Sequence, residues 1–280
     1  MRIAASRTLP VLKPFRLAGS PSPRHFQLSA RHGIFIALAL CLAAGIGDAA
    51  AAPAAPSILA TLLKWTPLLA KGFGLDIAMS FLSMAIGTIA GVAVGLALIS
   101  LRAPVRGAAW VVTQIFRNAP WLVLLFYCML LLPFELRIGS FTVPLPDWLK
   151  ATLGLALPVM ANVAELVRGA VRSIPFGQWE ASEALALTRT QTLRMVILPQ
   201  CVKRMTPPWM NLYAILVAAM PLTSIVGVSD SMTLTGDILA AEGRNELLVP
   251  MYLYLLLWFF AYCYPIALAT KALERRFQVH

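Results

Sequence analysis

The sequence predicts an all-α membrane protein with about five transmembrane helices. Of its 280 residues, 59% are hydrophobic and 12% are charged, and the mean hydropathy is +0.77. Soluble domains average about 25% charged residues, so this deficit places the chain in a bilayer. Helices that cross the hydrocarbon core need about 20 mostly apolar residues. Candidate segments run over 75–100, 108–132, 148–171, 208–228 and 247–270.

The N-terminal region precedes these segments and has a different composition. Residues 1–32 form a basic tail that contains several prolines and no acid, a composition typical of disorder. An apolar stretch and an alanine-rich run follow, so residues 33–55 resemble a secretory signal peptide. A short uncleaved anchor is the alternative. Both interpretations put residue 50 outside the cytosol and make 56–74 an external or interfacial segment.

The first two membrane segments contain residues that constrain packing. Gly87, Gly91 and Gly95 recur every fourth residue, which would allow close approach to another helix. General tolerance of glycine in membrane helices explains the pattern equally well. In the second segment, the residues after Pro120 are too few to span alone. We therefore expect the helix to include the residues before this proline.

The loops between the segments differ in charge. Lysine and arginine are concentrated at 102–106, 168–204 and 271–280, whereas 135–147 and 230–246 are neutral or acidic. Because loops rich in Lys and Arg remain cytosolic, five helices with an external mature N-terminus and a cytosolic C-terminus satisfy every loop. The transmembrane domain is then 75–272, and 273–280 forms a cytosolic tail.

A charged segment over 174–200, too polar to span a bilayer, is expected to form a cytosolic helical hairpin. Pro175 favours the start of a first helix. Thr188 and Gln191 form a capping-box pattern that starts a second helix. Pro199 is expected to interrupt this second helix near its end.

The first helix of this hairpin combines carboxylates with apolar side chains. Glu180 and Glu183 lie on one face, at spacing i, i+3. We expect Trp179, Leu185 and Leu187 to be exposed, and exposed apolar side chains on a short loop favour a protein partner. An amphipathic hairpin on the lipid surface is the alternative.

Several motifs in this region resemble those of bacterial ABC importer permeases. Glu180-Ala181-Ser182, Ala186 and Val196 to Pro199 follow the family's EAA loop, EAA-x3-G-x9-I-x-L-P. The stretches FRNAPWLVLLFY, ANVAELVRGAVRSIPFGQWEASEAL and VILPQCVKRMTPPWMNLYAIL resemble the polar amino acid permeases (His/Gln/Glu/Arg/opine type), in the same order. The similarity covers about Leu63 to the C-terminus.

This resemblance implies the MetI-like fold and a permease subunit that moves a polar amino acid across the bacterial inner membrane by alternating access. It implies a second permease subunit in a homo- or heterodimer, a cytosolic ABC ATPase dimer that holds ATP and Mg, and a periplasmic solute-binding protein. No cofactor and no catalytic group are expected in this chain. An ion-coupled secondary amino acid transporter is the alternative, but such transporters usually show internal repeats and none is apparent.

The EAA loop of this family couples the permease to its ATPase. The resemblance implies docking through Gly177, Gln178, Glu180, Ala181, Ser182 and Ala186, with Pro199 fixing the exit of the segment. Ala186 replaces a glycine of the family, and a left-handed backbone there would cost about 1 kcal/mol or more. Ala218 to Leu222 replaces a family stretch that contains lysine, so any ligand contact through that lysine is absent.

Polar residues in or beside the apolar helices are candidates for the substrate pathway, because such groups are costly in a membrane. They are Arg117, Asn118, Asn162, Glu165 and Asn211. Arg117 could bind the carboxylate of an amino acid and Glu165 its ammonium group. Interhelical hydrogen bonds, or a pair between Glu165 and Arg168, are the alternative.

Other functional classes find little support in the sequence. The net charge of +11 is divided among short clusters between apolar segments, which argues against nucleic-acid binding. The four cysteines lack metal-binding spacing, and the three histidines lie near the termini. We therefore expect no metal site and no histidine-based catalytic centre.

Overall fold

The computed structural model describes residues 57–138 and 141–277, which are mostly helical. The α-helices are α1 (Ile58–Leu98), α2 (Ala103–Asn118), α3 (Trp121–Leu131), α4 (Asp147–Arg172), α5 (Phe176–Ala184), α6 (Arg189–Gln191), α7 (Leu198–Ala218), α8 (Ser231–Glu242) and α9 (Leu248–Phe277). A π-helical turn (Thr192–Ile197) joins α6 to α7, and 3-10 helices cover Met220–Val226 and Asn245–Leu247. Strands β1 (Glu135–Ile138) and β2 (Phe141–Pro144) form an antiparallel hairpin. The predicted tail and signal-like segment, 1–55, lie outside the described residues.

The described helices confirm an all-α membrane protein with four or five spans. Four helical segments are long and apolar enough to cross a membrane, and α2 with α3 makes a fifth if this bent pair is one crossing. The prediction of one continuous helix over 108–132 is wrong, because the chain bends by 105° between α2 and α3. Ala119 and Pro120 have extended backbones. The ring of a proline disfavours helical geometry in the preceding residue, which explains the break.

Helix α1 begins earlier than residue 75, where the first span was expected. Its 41 residues include Pro67 and extend roughly 60 Å at the usual helical rise, about twice the thickness of a hydrocarbon core. Residues 58–74, expected as a separate segment, are therefore continuous with the first span. Their buried side chains, Ile58 and Leu69, join a small core with Ile238 and Met251.

Helices α1 and α4 pack in parallel along the predicted glycine stripe. A Cβ atom on Gly87 would lie 2.5 Å from Cγ1 of Val159, and one on Gly95 would lie 2.6 Å from Cβ of Val167. A Cβ atom on Gly91 would lie 2.6 Å from the carbonyl oxygen of Met160. These distances are too short for any side chain, so glycine is required for this approach. Because α1 and α4 run in the same direction, the bent α2–α3 pair must bring the chain back across the membrane.

Helix α7 also differs from its prediction. It begins at Leu198 instead of near residue 208, and Pro199 lies in its first turn instead of interrupting a helix near its end. Proline has no N–H group to donate and leaves one carbonyl oxygen of the preceding turn without its usual partner. The preceding π-turn absorbs the change in hydrogen bonding and lets α6 continue directly into α7.

Buried polar contacts join the helices at the end of the molecule that contains α8. Asp76 of α1 is fully buried and accepts hydrogen bonds from the backbone N–H and the hydroxyl group of Ser231. The neighbouring Asp230 is also fully buried and accepts a hydrogen bond of 2.8 Å from Thr223. These contacts attach α8 to α1 and to the 3-10 helix before it.

The close packing of α1 on α4 predicts opposite effects for two glycine substitutions. Gly91→Ala should destabilise the protein by about 1–3 kcal/mol, because the added methyl group overlaps a backbone carbonyl. Gly107→Ala on α2 has open space around its Cβ position, so it should be neutral or stabilising by up to about 1 kcal/mol. Thermal unfolding of both variants in the same detergent measures the difference, and equal melting temperatures would contradict the packing described here.

Candidate functional site

The predicted hairpin is present, and its first helix is α5. Pro175 is extended and immediately precedes Phe176, the first helical residue, as the sequence predicts. Five of the candidate docking residues are exposed: Gly177, Gln178, Glu180, Ala181 and Ala186. Ser182 is 2% exposed, and its hydroxyl group donates to the carbonyl oxygen of Gln178 at 2.7 Å. Ser182 therefore supports the helix from its inner side.

The turn after α5 has the left-handed backbone considered in the sequence analysis. The N–H of Leu187 donates to the carbonyl oxygen of Ser182 at 3.1 Å, and the N–H of Ala186 donates to that of Glu183 at 2.8 Å. This pair of bonds is a Schellman motif, which needs a left-handed residue after the helix. Ala186 has φ of 53° and is the one non-glycine residue with positive φ among the described residues.

The second helix starts at the predicted capping box. Thr188 accepts from the N–H of Gln191 at 3.4 Å, while the Gln191 side chain accepts from the N–H of Thr188 at 2.9 Å. These reciprocal bonds satisfy N–H groups that a helix leaves without partners. The chain therefore turns within the few residues between α5 and α6.

The inner face of the hairpin packs against the ends of α4 and α7. Ile174, Ile197 and Cys201 are buried in one cluster, and Trp179 packs against it. The prediction that Trp179 is exposed is therefore wrong. In the sequence Trp179 stands beside carboxylates, as a surface residue would. In the folded hairpin its side chain lies on the side that faces the cluster.

The outer face of the hairpin exposes other apolar side chains. Leu185, as predicted, is 74% exposed, and so is Phe176, which the sequence analysis did not single out. Leu187 is partly buried, so the prediction that it is exposed is wrong. Glu180 and Glu183 are exposed as well. The outer face thus presents apolar and acidic groups together.

Polar contacts fasten the hairpin to the rest of the helix bundle. The guanidinium group of Arg189 donates to the carbonyl oxygen of Ile99, just after α1, at 3.2 Å. The side chain of Gln200 donates to that of Gln178 at 3.2 Å. Arg204 of α7 donates to the carbonyl oxygen of Ser173 at 2.7 Å. The hairpin is therefore linked to α1, α4 and α7. Pro199, the last of the candidate coupling residues, is exposed at the start of α7.

Three of the pathway candidates do not come together as a single site. Asn118 donates to the carbonyl oxygen of Gln114 at 2.8 Å, and Asn162 donates to that of Pro158 at 2.8 Å. Each of these bonds joins residues of a single helix. Asn211 is exposed on α7. No hydrogen bond between described residues joins these three side chains to one another.

The other two candidates form a charged cluster between α2 and α4. Glu165 is paired with Arg168 on its own helix, and its carboxylate lies 3.9 Å from the guanidinium group of Arg117. The side chain of Glu165 is 12% exposed, whereas that of Arg117 is 47% exposed. Two cations therefore share one carboxylate, and the Arg117 side chain remains accessible.

A buried polar contact joins three helices and was not expected from the sequence. Ser80, Tyr213 and Tyr262 form a chain of hydroxyl groups, with O–O distances of 3.1 Å and 2.7 Å. These residues lie far apart in the sequence, so no local signal could have identified the chain of hydroxyl groups. Within 57–138 and 141–277, no group of three or more His, Cys, Asp or Glu side chains could hold a metal ion.

Known proteins match this chain over most of its length. Residues 83–279 match the family of the binding-protein-dependent transport system inner membrane component. The probable amino-acid ABC transporter permease protein YckA of Bacillus subtilis is 32% identical, over 75% of this chain and 89% of that protein. The L-cystine transport system permease protein TcyB of the same organism is 29% identical, over 78% of this chain and 93% of that protein.

Two solved structures have the same fold. A crystal structure of an amino acid ABC transporter with histidines aligns with a TM-score of 0.68 and 25% identity, over 79% of this chain and 99% of that chain. An inward-facing structure of the MetNI methionine ABC transporter aligns with a TM-score of 0.60 and 20% identity, over 77% of this chain and 99% of that chain. The chain therefore belongs to the family of binding-protein-dependent transport system inner membrane components, and it is a transmembrane permease subunit of an ABC importer.

Proposed function

We propose that this subunit imports a polar amino acid, and that ATP hydrolysis on docked ATPase subunits drives it through the α5–α6 hairpin. The observation that carries the proposal is the exposed outer face of this hairpin, where apolar and acidic side chains lie together. The related permeases named for amino acids support the substrate class. No relative or structural neighbour supports the ion-coupled alternative.

The composition of the outer face suits a protein partner better than water. Phe176 and Leu185 are each 74% exposed, and they flank the carboxylates of Glu180 and Glu183. Exposed apolar side chains next to charged ones are typical of a docking surface. Gly177, Gln178, Ala181 and Ala186 complete the accessible surface, while Ser182 would shape the helix without touching the ATPase.

The contacts of the hairpin provide a route for transmitting force. Movement of α5 would act on α4 through Ile174 and on α7 through the Gln178–Gln200 contact. The Arg189–Ile99 contact would transmit this movement to α1. Because ATP and Mg would bind only to the ATPase subunits, no catalytic group is needed here. The permease would change between inward-open and outward-open states by a shift in population.

The orientation follows from the charge of the two ends. The hairpin and the α1–α2 loop lie together at an end rich in arginine, as the Arg189–Ile99 contact indicates. Asp230 and Glu242 lie at the other end, near the first half of α1. By the positive-inside rule the hairpin and the C-terminus are cytosolic in the bacterial inner membrane, and the mature N-terminus is periplasmic. A second permease subunit and a periplasmic binding protein would complete the assembly.

The cluster of Arg117, Glu165 and Arg168 is the best candidate for contact with the substrate. Arg168 already neutralises Glu165, and Arg117 lies 3.9 Å away with almost half of its side chain exposed. A guanidinium group in this state can donate hydrogen bonds to a substrate carboxylate without breaking a strong pair. A purely structural role of the cluster is the competing explanation.

The proposed function makes three predictions, of which the first concerns docking. Glu180→Lys should lower ATP hydrolysis stimulated by the binding protein, and ATP-driven amino acid uptake, by about tenfold or more, because a cation replaces an acceptor in the interface. Both rates are measured in proteoliposomes that contain the full transporter. Glu274→Lys makes the same charge change on an exposed residue of α9 and should leave both rates unchanged. Normal uptake by the Glu180→Lys transporter, or uptake driven by an ion gradient without ATP, would contradict the proposal.

The turn of the hairpin gives a second prediction. Ala186→Gly should stabilise the hairpin by about 1 kcal/mol, because glycine adopts the left-handed backbone without steric cost. Ala181→Gly in the interior of α5 should destabilise it by about 1 kcal/mol. Amide hydrogen exchange of residues 176–191 measures both changes locally. Exchange in Ala186→Gly as fast as in the unmodified chain, or faster, would mean that the left-handed backbone carries no strain.

A third prediction separates substrate binding from structure at Arg117. Arg117→Met should raise the KM for uptake about tenfold, with little change in melting temperature, because the lost contact is with the substrate. Arg275→Met removes an exposed cation from the end of α9 and serves as the control. An unchanged KM together with a lower melting temperature would assign Arg117 a structural role.

A further inference from the structure

A pocket at the arginine-rich end of the molecule is not part of the outer face of the hairpin. It has a volume of about 410 Å³ and lies between the end of α1 and the segment from α6 to the start of α7. Its wall combines apolar residues with three arginines: Leu96, Leu101, Arg102, Arg189, Leu193 and Arg194. The pocket is thus both basic and apolar.

The three arginines of this pocket make no salt bridge with the described residues. The stretches 98–106 and 187–204, which supply most of its wall, contain no aspartate or glutamate. Arg189 donates a hydrogen bond to the carbonyl oxygen of Ile99, and Glu183 lines a separate, smaller cavity beside it, whereas neither Arg102 nor Arg194 lines that cavity. An anion is therefore the ligand that this wall favours.

The apolar part of the wall indicates what kind of anion fits. Leu101 is 69% exposed and Leu96 is 37% exposed, and both lie at the end of the first membrane span. A small soluble anion would leave these leucine side chains in water. A phospholipid has a phosphate group for the arginines and glycerol and acyl groups for the leucines. Basic pockets beside membrane helices at the cytoplasmic surface bind anionic headgroups in this way.

We propose that this pocket binds the phosphate headgroup of an anionic phospholipid of the cytoplasmic leaflet. The proposal rests on the cytosolic orientation given under the proposed function. The wall formed by Arg189 and Arg194 belongs to the same continuous segment as the hairpin. A bound lipid would join this segment to the end of α1, and it would favour the conformation in which the two remain together. The occupancy of the pocket would thereby regulate coupling.

The test measures lipid binding to the full-length permease purified in mild detergent. The chain is titrated with dioleoyl phosphatidylglycerol, dioleoyl phosphatidylcholine or inorganic phosphate, and its melting temperature and its retained lipid are recorded by thermal shift and native mass spectrometry. Only phosphatidylglycerol should raise the melting temperature. The variant R102Q/R194Q should bind it about 25-fold more weakly, since each arginine near a headgroup contributes about fivefold.

Matched variants show whether the effect belongs to this pocket. R172Q/K203Q removes two exposed cations from the same end of the molecule and should keep the response, and so should R102K/R194K, which retains both charges. Because Arg102 and Arg194 are exposed, the double variant should fold, and its melting temperature in phosphatidylcholine verifies this. If the double variant does not fold, the single variants R102Q and R194Q are measured in its place.

Three results would overturn the proposal. The first is an unchanged response to phosphatidylglycerol in R102Q/R194Q, or in both single variants. The second is an equal response to phosphatidylcholine, and the third is full reproduction of the response by inorganic phosphate. Since the measurement requires neither ATP nor uptake, its failure leaves the proposed transport function intact. The orientation is tested separately by labelling the variant Leu101→Cys with a membrane-impermeant thiol reagent in intact cells. Labelling from outside would contradict the cytosolic orientation, on which both proposals depend.

Discussion

The parallel contact between α1 and α4 is the constraint on which the rest of the fold depends. Apolar side chains gain little from leaving lipid for a helix interface, so membrane helices associate mainly through close packing. Glycines on α1 face valines on α4 at the same four-residue spacing, for example Gly87 at Val159 and Gly95 at Val167. This contact fixes the direction of both helices. The intervening chain must then return across the membrane, which makes the bent α2–α3 pair a crossing.

The length of α1 gives this contact a second consequence, because one continuous helix touches both ends of the molecule. Just beyond its last residue, the carbonyl oxygen of Ile99 accepts from Arg189 of the hairpin. Near its first turn, Glu242 of α8 accepts hydrogen bonds from Lys64 at 2.8 Å and Trp65 at 2.7 Å. These bonds hold the pKa of Glu242 below its usual range. Residues 58–74 and α8 thus form a unit at the acidic end, opposite the hairpin.

Local signals in the sequence predicted the features that depend on local interactions. The capping box at Thr188 was predicted from Thr188 and Gln191 alone, and it is present. A left-handed backbone at Ala186 was raised only as a condition, from the glycine that the family motif has there, and the structure has it. The bend at Pro120 was missed because apolar length alone favoured a continuous helix. The burial of Trp179 depends on Ile197, which comes from the following segment, and no local periodicity encodes that contact. The roles of the pathway candidates depend on distances between helices, which the sequence alone does not contain.

The geometry of the hairpin explains how, under the proposed function, this subunit would respond to events in an ATPase partner. A flexible loop would absorb a displacement of α5, because its backbone can adopt many conformations at little cost. Here the turn is closed by the Schellman bonds of Ala186 and Leu187, and the next segment continues without a break into α7. Displacement of α5 must therefore move α7, and through Arg189 it acts on α1. Since α1 is packed on α4 without space for a methyl group, the helices can move only together. Tight packing thus makes the bundle respond as a few rigid bodies, which is the mechanical requirement for alternating access.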